Sequence, residues 1–333
     1  MNKLMNRLIY NVPEKKPDKI NKNANIRKNK YLVLIFSDNK GKPSLTYKPR
    51  GYGGLRHTEF GYLQNLSLVA KYLNRKVVFS PPHISLEKRH NLNKPIDKHI
   101  DWDVYFNLAN VTHLERNPPF SFSSNGDIIS HSSIEYYPSN TNINKIDNSV
   151  DIVALVNYNS NDGKLKTHSE IIVQHEKGRS FYNYVKYPIS NHLKKYANLI
   201  LKKMNLNDYV FIHIRRTDFL YNKILAPPYG SQVYTTPEFI STFVKKYIKN
   251  KTIFISTDER DSKYKEKINE SLNDYTIIFE DKIMSHLPEE IINDNYQIYL
   301  ILDEISRNAR VNIGTTGYVR LGDKYDYCLS DYQ

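Results

Sequence analysis

A single cysteine, Cys328, stands in 333 residues. One thiol can neither close an intramolecular disulfide nor build a cysteine-based zinc cluster, and such sparing use fits a reducing compartment. Long apolar runs are missing too: no stretch approaches the roughly 20 apolar residues of a membrane-spanning helix. The opening MNKLMNRLIYNV has too short an apolar run, interrupted by Arg7, to serve as a secretory signal. Together these lacks predict a soluble, cytoplasmic protein. Acidic residues are in deficit, 35 against 48 Lys and Arg, and the imbalance is concentrated at one end. Residues 1–30 hold nine Lys or Arg against Glu14 and Asp18, a net +7 in under a tenth of the chain. Apolar periodicity stops there after Tyr10, so residues 1–29 read as a flexible basic arm, either a solvated tail or one drawn to an anionic surface. No nucleic-acid motif or aromatic-interleaved basic patch accompanies it, so no nucleic-acid partner is expected.

What is present points to a core rich in aromatics, with 27 Tyr and 13 Phe in a chain that is 40% hydrophobic. The most informative stretch is Tyr209 to Phe219, YVFIHIRRTDF. Its apolar residues Val210, Phe211, Ile212 and Ile214 predict a buried strand, and His213, Arg215, Arg216 and Asp218 crowd its carboxyl end. In open α/β sheets ligands bind at that edge, and a guanidinium there offers a permanently charged fork suited to phosphate. Neighbouring side chains of a strand point to opposite faces. One arginine is therefore expected to reach an anionic ligand and the other to brace the site, pairing with Asp218. The bland alternative, an edge strand with solvated charges, fits poorly with so apolar a run.

Similar alternation runs through the chain. A first buried strand is predicted at Lys30 to Ser37, then a glycine-rich turn (Gly51, Gly53, Gly54) opening a helix whose apolar positions Phe60, Leu63, Leu66, Val69, Ala70 and Leu73 recur at helical spacing. Val77 to Phe79 forms the next strand. Glycines at a helix start let backbone amides approach an anion, which makes Gly53, Gly54 and Leu55 a candidate phosphate cradle. Segment 95–150 is polar and irregular, anchored by Trp102 to Leu108. Further strands are expected at Asp151 to Asn157, Thr252 to Ser256, Tyr275 to Phe279 and Ala309 to Ile313, with helices at Ser190 to Met204, Thr236 to Tyr247 and Asn295 to Ser306. Helices alternating with strands predict parallel sheets, arranged as one Rossmann-like domain over residues 30–190 and another over 191–333. Asp258 follows the Thr252 strand and reads either as a site residue or as the cap of the next helix.

Four loops carry these signals in order: Gly53-Gly54-Leu55, His213 to Asp218, Thr257-Asp258 and Gly314 to Gly317. With Leu73-Asn74-Arg75 and the WDVYFNL of Trp102 to Leu108, they make residues 30–322 resemble the GDP-fucose-dependent fucosyltransferases of the O-fucosyltransferase type, including their HxRRxD element. The resemblance implies an α/β fold of GT-B type, two Rossmann-like domains facing a central cleft, and an inverting transfer that needs neither metal nor cofactor beyond GDP-fucose. It implies Arg215 on the β-phosphate, His213 and Asp303 at guanine, and Thr315 and Thr316 on the diphosphate, with Arg216 and Asp218 in the same element. A glycan or protein hydroxyl would be the acceptor, and Glu59 or the phosphate itself would take its proton. The chain departs from its relatives in two places. Arg56, His57, Thr58 and Glu59 stand where many relatives carry Asn, and Asn222 and Lys223 stand where the α-1,6 enzymes carry Glu. A transferase using another nucleotide sugar and a non-catalytic nucleotide-sugar or carbohydrate-binding protein are the competing readings.

Overall fold

The structure is a computed structural model that describes residues 30–37, 55, 58–86, 91, 96–123, 128–138, 141–158, 187–216, 233–315 and 325–332. Gly53, Gly54, Asp218 and Thr316 lie outside the described residues.

The architecture is α/β with two parallel sheets. In the first, β1 (Tyr31–Ser37) lies between β2 (Lys76–Val78) and β6 (Ile152–Tyr158), and β5 (Ile134–Pro138) flanks β6. A short antiparallel pair, β3 (Ser121–Phe122) and β4 (Ile128–Ile129), packs Phe122 and Ile128 against Tyr31, Val33, Ile152 and Ala154 of the first sheet. In the second sheet the order is β11-β10-β7-β8-β9, where β7 is Val210–Ile214, β8 Thr252–Thr257, β9 Thr276–Phe279, β10 Val311–Gly314 and β11 Tyr327–Cys328. The chain adds β8 and β9 on one side of β7, then returns to add β10 and β11 on the other. Strand order thus reverses between β7 and β10, which opens a crevice at their carboxyl ends.

The strands form where expected because uninterrupted apolar runs flanked by breakers leave little alternative. The α-helices of eight residues or more among the described residues are α1 (Asn65–Tyr72), α2 (Asn191–Lys203), α3 (Pro237–Tyr247), α4 (Ser262–Ser271) and α5 (Asn295–Arg307). A π-helical stretch, Thr58–Gln64, leads into α1. α1 and α2 end alike. Asn74 and Asn205 take left-handed backbone, φ 53° and 52°, and the next residues, Arg75 and Leu206, donate back to Ala70 and Leu201. This is the terminating turn that asparagine tolerates better than most residues, and in each case it turns the chain toward a strand.

β5 was not visible in the sequence, and α4 was legible only as an unbounded helix after Asp258. β5 is a half-exposed edge strand ending in proline, and α4 buries only Tyr264 and Ile268, so neither carries a strong apolar pattern. Segment 96–150 is also more ordered than its polarity suggests. Trp102 is buried, donates from Nε1 to the Ser80 carbonyl at 2.8 Å, and packs with Tyr62, Tyr105 and Phe106.

One apolar cluster joins the two sheets. Leu32, Leu34, Val153 and Leu155 of the first belong to the same core as Phe211, Phe254 and Ile278 of the second, through Trp102, Phe106, α2 and α5. A second cluster, with Val210, Ile212, Ile214, Ile253 and Ile255, covers the opposite face of the second sheet beneath α3 and α4. Among the described residues no helix is long and apolar enough to cross a membrane.

Candidate functional site at the carboxyl edge of the second sheet

Alternation along β7 sorts the functional side chains. Val210, Ile212 and Ile214 face the α3–α4 core, whereas Phe211 faces the cluster shared with the first sheet. His213 continues the Phe211 face, and Arg215 follows it. Arg216 continues the other face, and its contacts show it to be the brace. Its Nε donates to Glu259 Oε2 at 3.1 Å and its Nη1 to Thr235 Oγ1 at 2.9 Å. Its guanidinium lies 4.9 Å from the centre of the Tyr264 ring. Tyr264 in turn donates to the Thr235 carbonyl at 2.6 Å, and burial pushes its phenol pKa up. The described partner of this brace is therefore Glu259, where the sequence suggested Asp218.

Asp258 takes up the Arg216 backbone amide, accepting at 2.6 Å. It is not the cap of α4. Asp261 fills that place, accepting from Lys263 N at 3.0 Å.

Thr315 ties β10 to β7 across the crevice. Its amide and its hydroxyl both donate to the His213 carbonyl at 3.0 Å, and the hydroxyl accepts from the Arg215 amide at 2.7 Å. Backbone groups thus occupy the Thr315 hydroxyl in this structure, which fixes the peptide carrying Arg215.

His213 is half-buried, and its Nδ1 lies 2.6 Å from the Tyr325 hydroxyl. Burial first, and the Arg215 charge after it, lower its pKa to about 4 against the opposing pull of Asp258. The ring is therefore neutral at pH 7, and its bond to Tyr325 couples the tautomer to the tyrosine hydroxyl: if Nδ1 accepts, Nε2 carries the donor hydrogen. Tyr325 also explains Gly314. A Cβ placed on Gly314 would sit 1.9 Å from Tyr325 Cε2, so the tyrosine ring rests directly on the glycine backbone.

Three expected residues lie in other surroundings. Asp303 is fully buried on α5, in the half that leads into β10, and pairs with Arg307 at 2.9 Å. Glu59, within the π-helical stretch, is fully buried and accepts from the Tyr187 amide at 2.6 Å. Leu55 is buried in the shared core. Asp101 and Asp103, spaced as in a metal-binding Asp-x-Asp, serve local structure: Asp101 accepts from the Trp102 amide at 2.5 Å, and Asp103 pairs with Arg116. Among the described residues no group of three His, Cys, Asp or Glu is arranged to hold a metal ion.

Sequence reasoning missed Tyr325, Ser256 and Glu280. Glu280 follows β9 directly, and the Ser256 hydroxyl donates to its Oε2 at 2.5 Å. Burial raises its pKa to about 7, offset in part by bonds from Ser256 and the Thr257 backbone. The rule that singled out His213, a titratable residue closing an apolar strand, applied equally to Glu280. Nothing in the local sequence marks Tyr325.

The sequence matches no protein-family model, and no curated protein matches it. Among solved structures, the chain is similar to POFUT1 in its apo form, at 16% identity and a TM-score of 0.41 over 86% of this chain and 91% of that one. It is similar also to POFUT1 in complex with GDP-fucose, at 14% identity and a TM-score of 0.40 over 86% and 91% of the two chains. A point mutant of Arabidopsis thaliana FUT1 in complex with GDP follows at 10% identity and a TM-score of 0.40, covering 87% of this chain and 66% of that one. Identities and TM-scores this low assign neither a family nor an activity to this chain.

Proposed function

We propose that the protein is a glycosyltransferase that takes its sugar from a GDP-linked donor, GDP-fucose before others, and passes it to a hydroxyl of a glycan or protein acceptor. The observation that carries this reading is the group at the β7–β10 reversal: a braced Arg216, an adjacent Arg215 on the His213 face, and a neutral His213 beside it. An arginine whose backbone is pinned by Thr315 is pre-organised to receive phosphate oxygens through its fork. In the proposed reaction the acceptor oxygen attacks the anomeric carbon, the bond to the β-phosphate oxygen breaks, and Arg215 stabilises the charge gathering on departing GDP. A single displacement inverts the configuration. Charge stabilisation by arginine and amides makes an obligatory cation unnecessary. Asp303 is the proposed guanine partner and Glu59 the proposed base, each through a carboxylate the fold already engages.

Calorimetric titration with GDP, GDP-fucose, GDP-mannose and UDP-sugars, without added metal, tests the donor. GDP binding is expected, and Arg215→Ala should weaken it by about 2–3 kcal/mol, because a charge-assisted contact is lost and phosphate charge is left unpaired. Arg215→Lys should restore little of it, since an ammonium keeps the charge without the fork. Unchanged affinity in the alanine variant would overturn the assignment. Glu59 lends weight to a second reading, a nucleotide-sugar-binding protein of the same fold, because its carboxylate already accepts a backbone amide. A wild type that binds GDP-fucose yet turns over with neither water nor any acceptor would establish that reading.

A further inference from the structure

The last rung of the second sheet forms a row across four strands. Register pairs Gly314 with His213, His213 with Ser256, and Ile255 with Phe279. One further step along that register sets Glu280 beside Ser256, and the 2.5 Å bond between their side chains shows that they meet. Paired residues of parallel strands project to the same face, so Gly314, His213 and Ser256 share one side of the sheet, and the Ser256 bond brings the Glu280 carboxyl, just past the end of β9, to that side. At about 4.8 Å per strand, Glu280 lies roughly 10 Å from His213 along the row.

The two directions away from His213 differ. Toward β10 the row is filled by the Tyr325 ring, seated on Gly314. Toward β8 and β9 it carries a hydroxyl and a carboxyl. Ser256 is nearly buried and Glu280 half-buried, and among the described residues Glu280 forms no ion pair. The cation whose charge acts on it, Lys265, is bonded to Asp281 at 3.1 Å. A largely desolvated carboxyl without a counter-ion is costly to the fold, and its burial holds its pKa near 7. Such a group is suited to receive donors that arrive with a ligand.

We propose that Glu280 reads the nucleoside of the nucleotide whose phosphates Arg215 holds, accepting hydrogen bonds from a pair of donors on it. The ribose diol and the N1–H and 2-amino groups of guanine both present such a pair; in the second case Glu280 takes the guanine role given above to Asp303. The roughly 10 Å span from His213 suits a nucleoside lying along the row, with its phosphates at the β7–β10 crevice. This inference rests on the nucleotide-binding reading above and adds to it the direction in which the nucleoside extends and the residue that selects it.

The test is titration of the full-length wild type and Glu280→Gln at pH 8 with GDP, IDP, 2′-deoxy-GDP and inorganic pyrophosphate, with thermal midpoints recorded alongside. IDP lacks the 2-amino group and 2′-deoxy-GDP one ribose hydroxyl. The wild type is expected to prefer GDP over one of these analogues by about tenfold, the worth of one buried hydrogen bond. In Glu280→Gln that preference should fall to about threefold or less, while pyrophosphate binding stays close to wild type and the thermal midpoint does not fall. The analogue whose discrimination collapses identifies the donor pair. Glu280→Asp, which keeps the charge but withdraws it by one methylene, should lose the preference as well. Equal discrimination by wild type and both variants overturns the role of Glu280. A wild type that binds neither GDP nor pyrophosphate overturns the nucleotide reading itself, a different result.

Discussion

Gly314 and the two titratable residues of its row show how single positions constrain this edge. A methyl group at Gly314 would collide with the Tyr325 ring, and the ring cannot move without giving up its hydroxyl's bond to His213. Gly314→Ala should therefore cost about 1–3 kcal/mol of stability by overpacking. It should also weaken GDP binding, since His213 loses the partner that sets its tautomer. Urea unfolding and calorimetry on the same preparation would measure both. His213 and Glu280 make opposite contributions to the pH dependence of stability. The folded-state pKa of His213, about 4, lies below its ordinary 6.5. As pH falls through that window the unfolded chain takes up a proton that the folded protein refuses, and stability is lost. Glu280 sits at about 7 against an ordinary 4.5. The folded protein there holds a proton that the unfolded chain has released, and stability is lost as pH rises from 4.5 to 7. Relative to wild type, Glu280→Gln should gain on the order of 2 kcal/mol between pH 4.5 and pH 7.5, after allowance for its partial exposure. His213→Gln should gain a similar amount relative to wild type between pH 6.5 and pH 4. Unfolding curves across pH that run parallel for wild type and variants would contradict both shifts.

At the scale of elements, buried charges hold the framework in register. Arg75, fully buried at the end of the α1 turn, fans its guanidinium over the first sheet. It donates to Asn148 Oδ1 at 2.9 Å, to the carbonyls of Tyr31 and Asp151 at 3.2 Å, and to that of Val150 at 3.0 Å. These contacts fasten the starts of β1 and β6 to each other. An ammonium cannot span them, so Arg75→Lys should cost about 2–4 kcal/mol in denaturant unfolding even though the charge is kept. The same guanidinium follows Asn74, whose left-handed turn aims it inward. On α5 the Asp303–Arg307 pair sits one helical turn apart against α2, where Lys194 also approaches Glu304 at 3.8 Å. Any variant at Asp303 must therefore be read for stability as well as for nucleotide selectivity.

Across the whole molecule the two sheets share one apolar cluster, and buried polar contacts stitch them further. The Tyr105 hydroxyl donates to Asp294 Oδ2 at 2.6 Å, and Asn91 accepts from the Asn295 amide at 2.6 Å, so residues near the first sheet hold the amino end of α5. Both sheets are accordingly expected to melt in one calorimetric transition, and Tyr105→Phe should lower its midpoint by leaving buried Asp294 short of a donor. Two separated transitions in the wild type would contradict the shared core. The sequence by itself determined the elements with strong local patterns: the apolar runs of β1, β6, β7 and β8, the helical spacing of α1 and α5, and the crowding of His213, Arg215 and Arg216 at a strand end. Those follow from burial, whose period is set by local backbone geometry. Alternation along β7 also made opposite roles for the two arginines legible. Only the tertiary structure decided which arginine is braced and by what, because Glu259, Thr235 and Tyr264 reach Arg216 across strands and helices far apart in the chain. It alone set the strand order that makes β7 and β10 neighbours, seated Tyr325 on Gly314, and lined up Ser256 and Glu280 with His213. Register between strands is fixed by non-local packing, and no local period in a sequence encodes it.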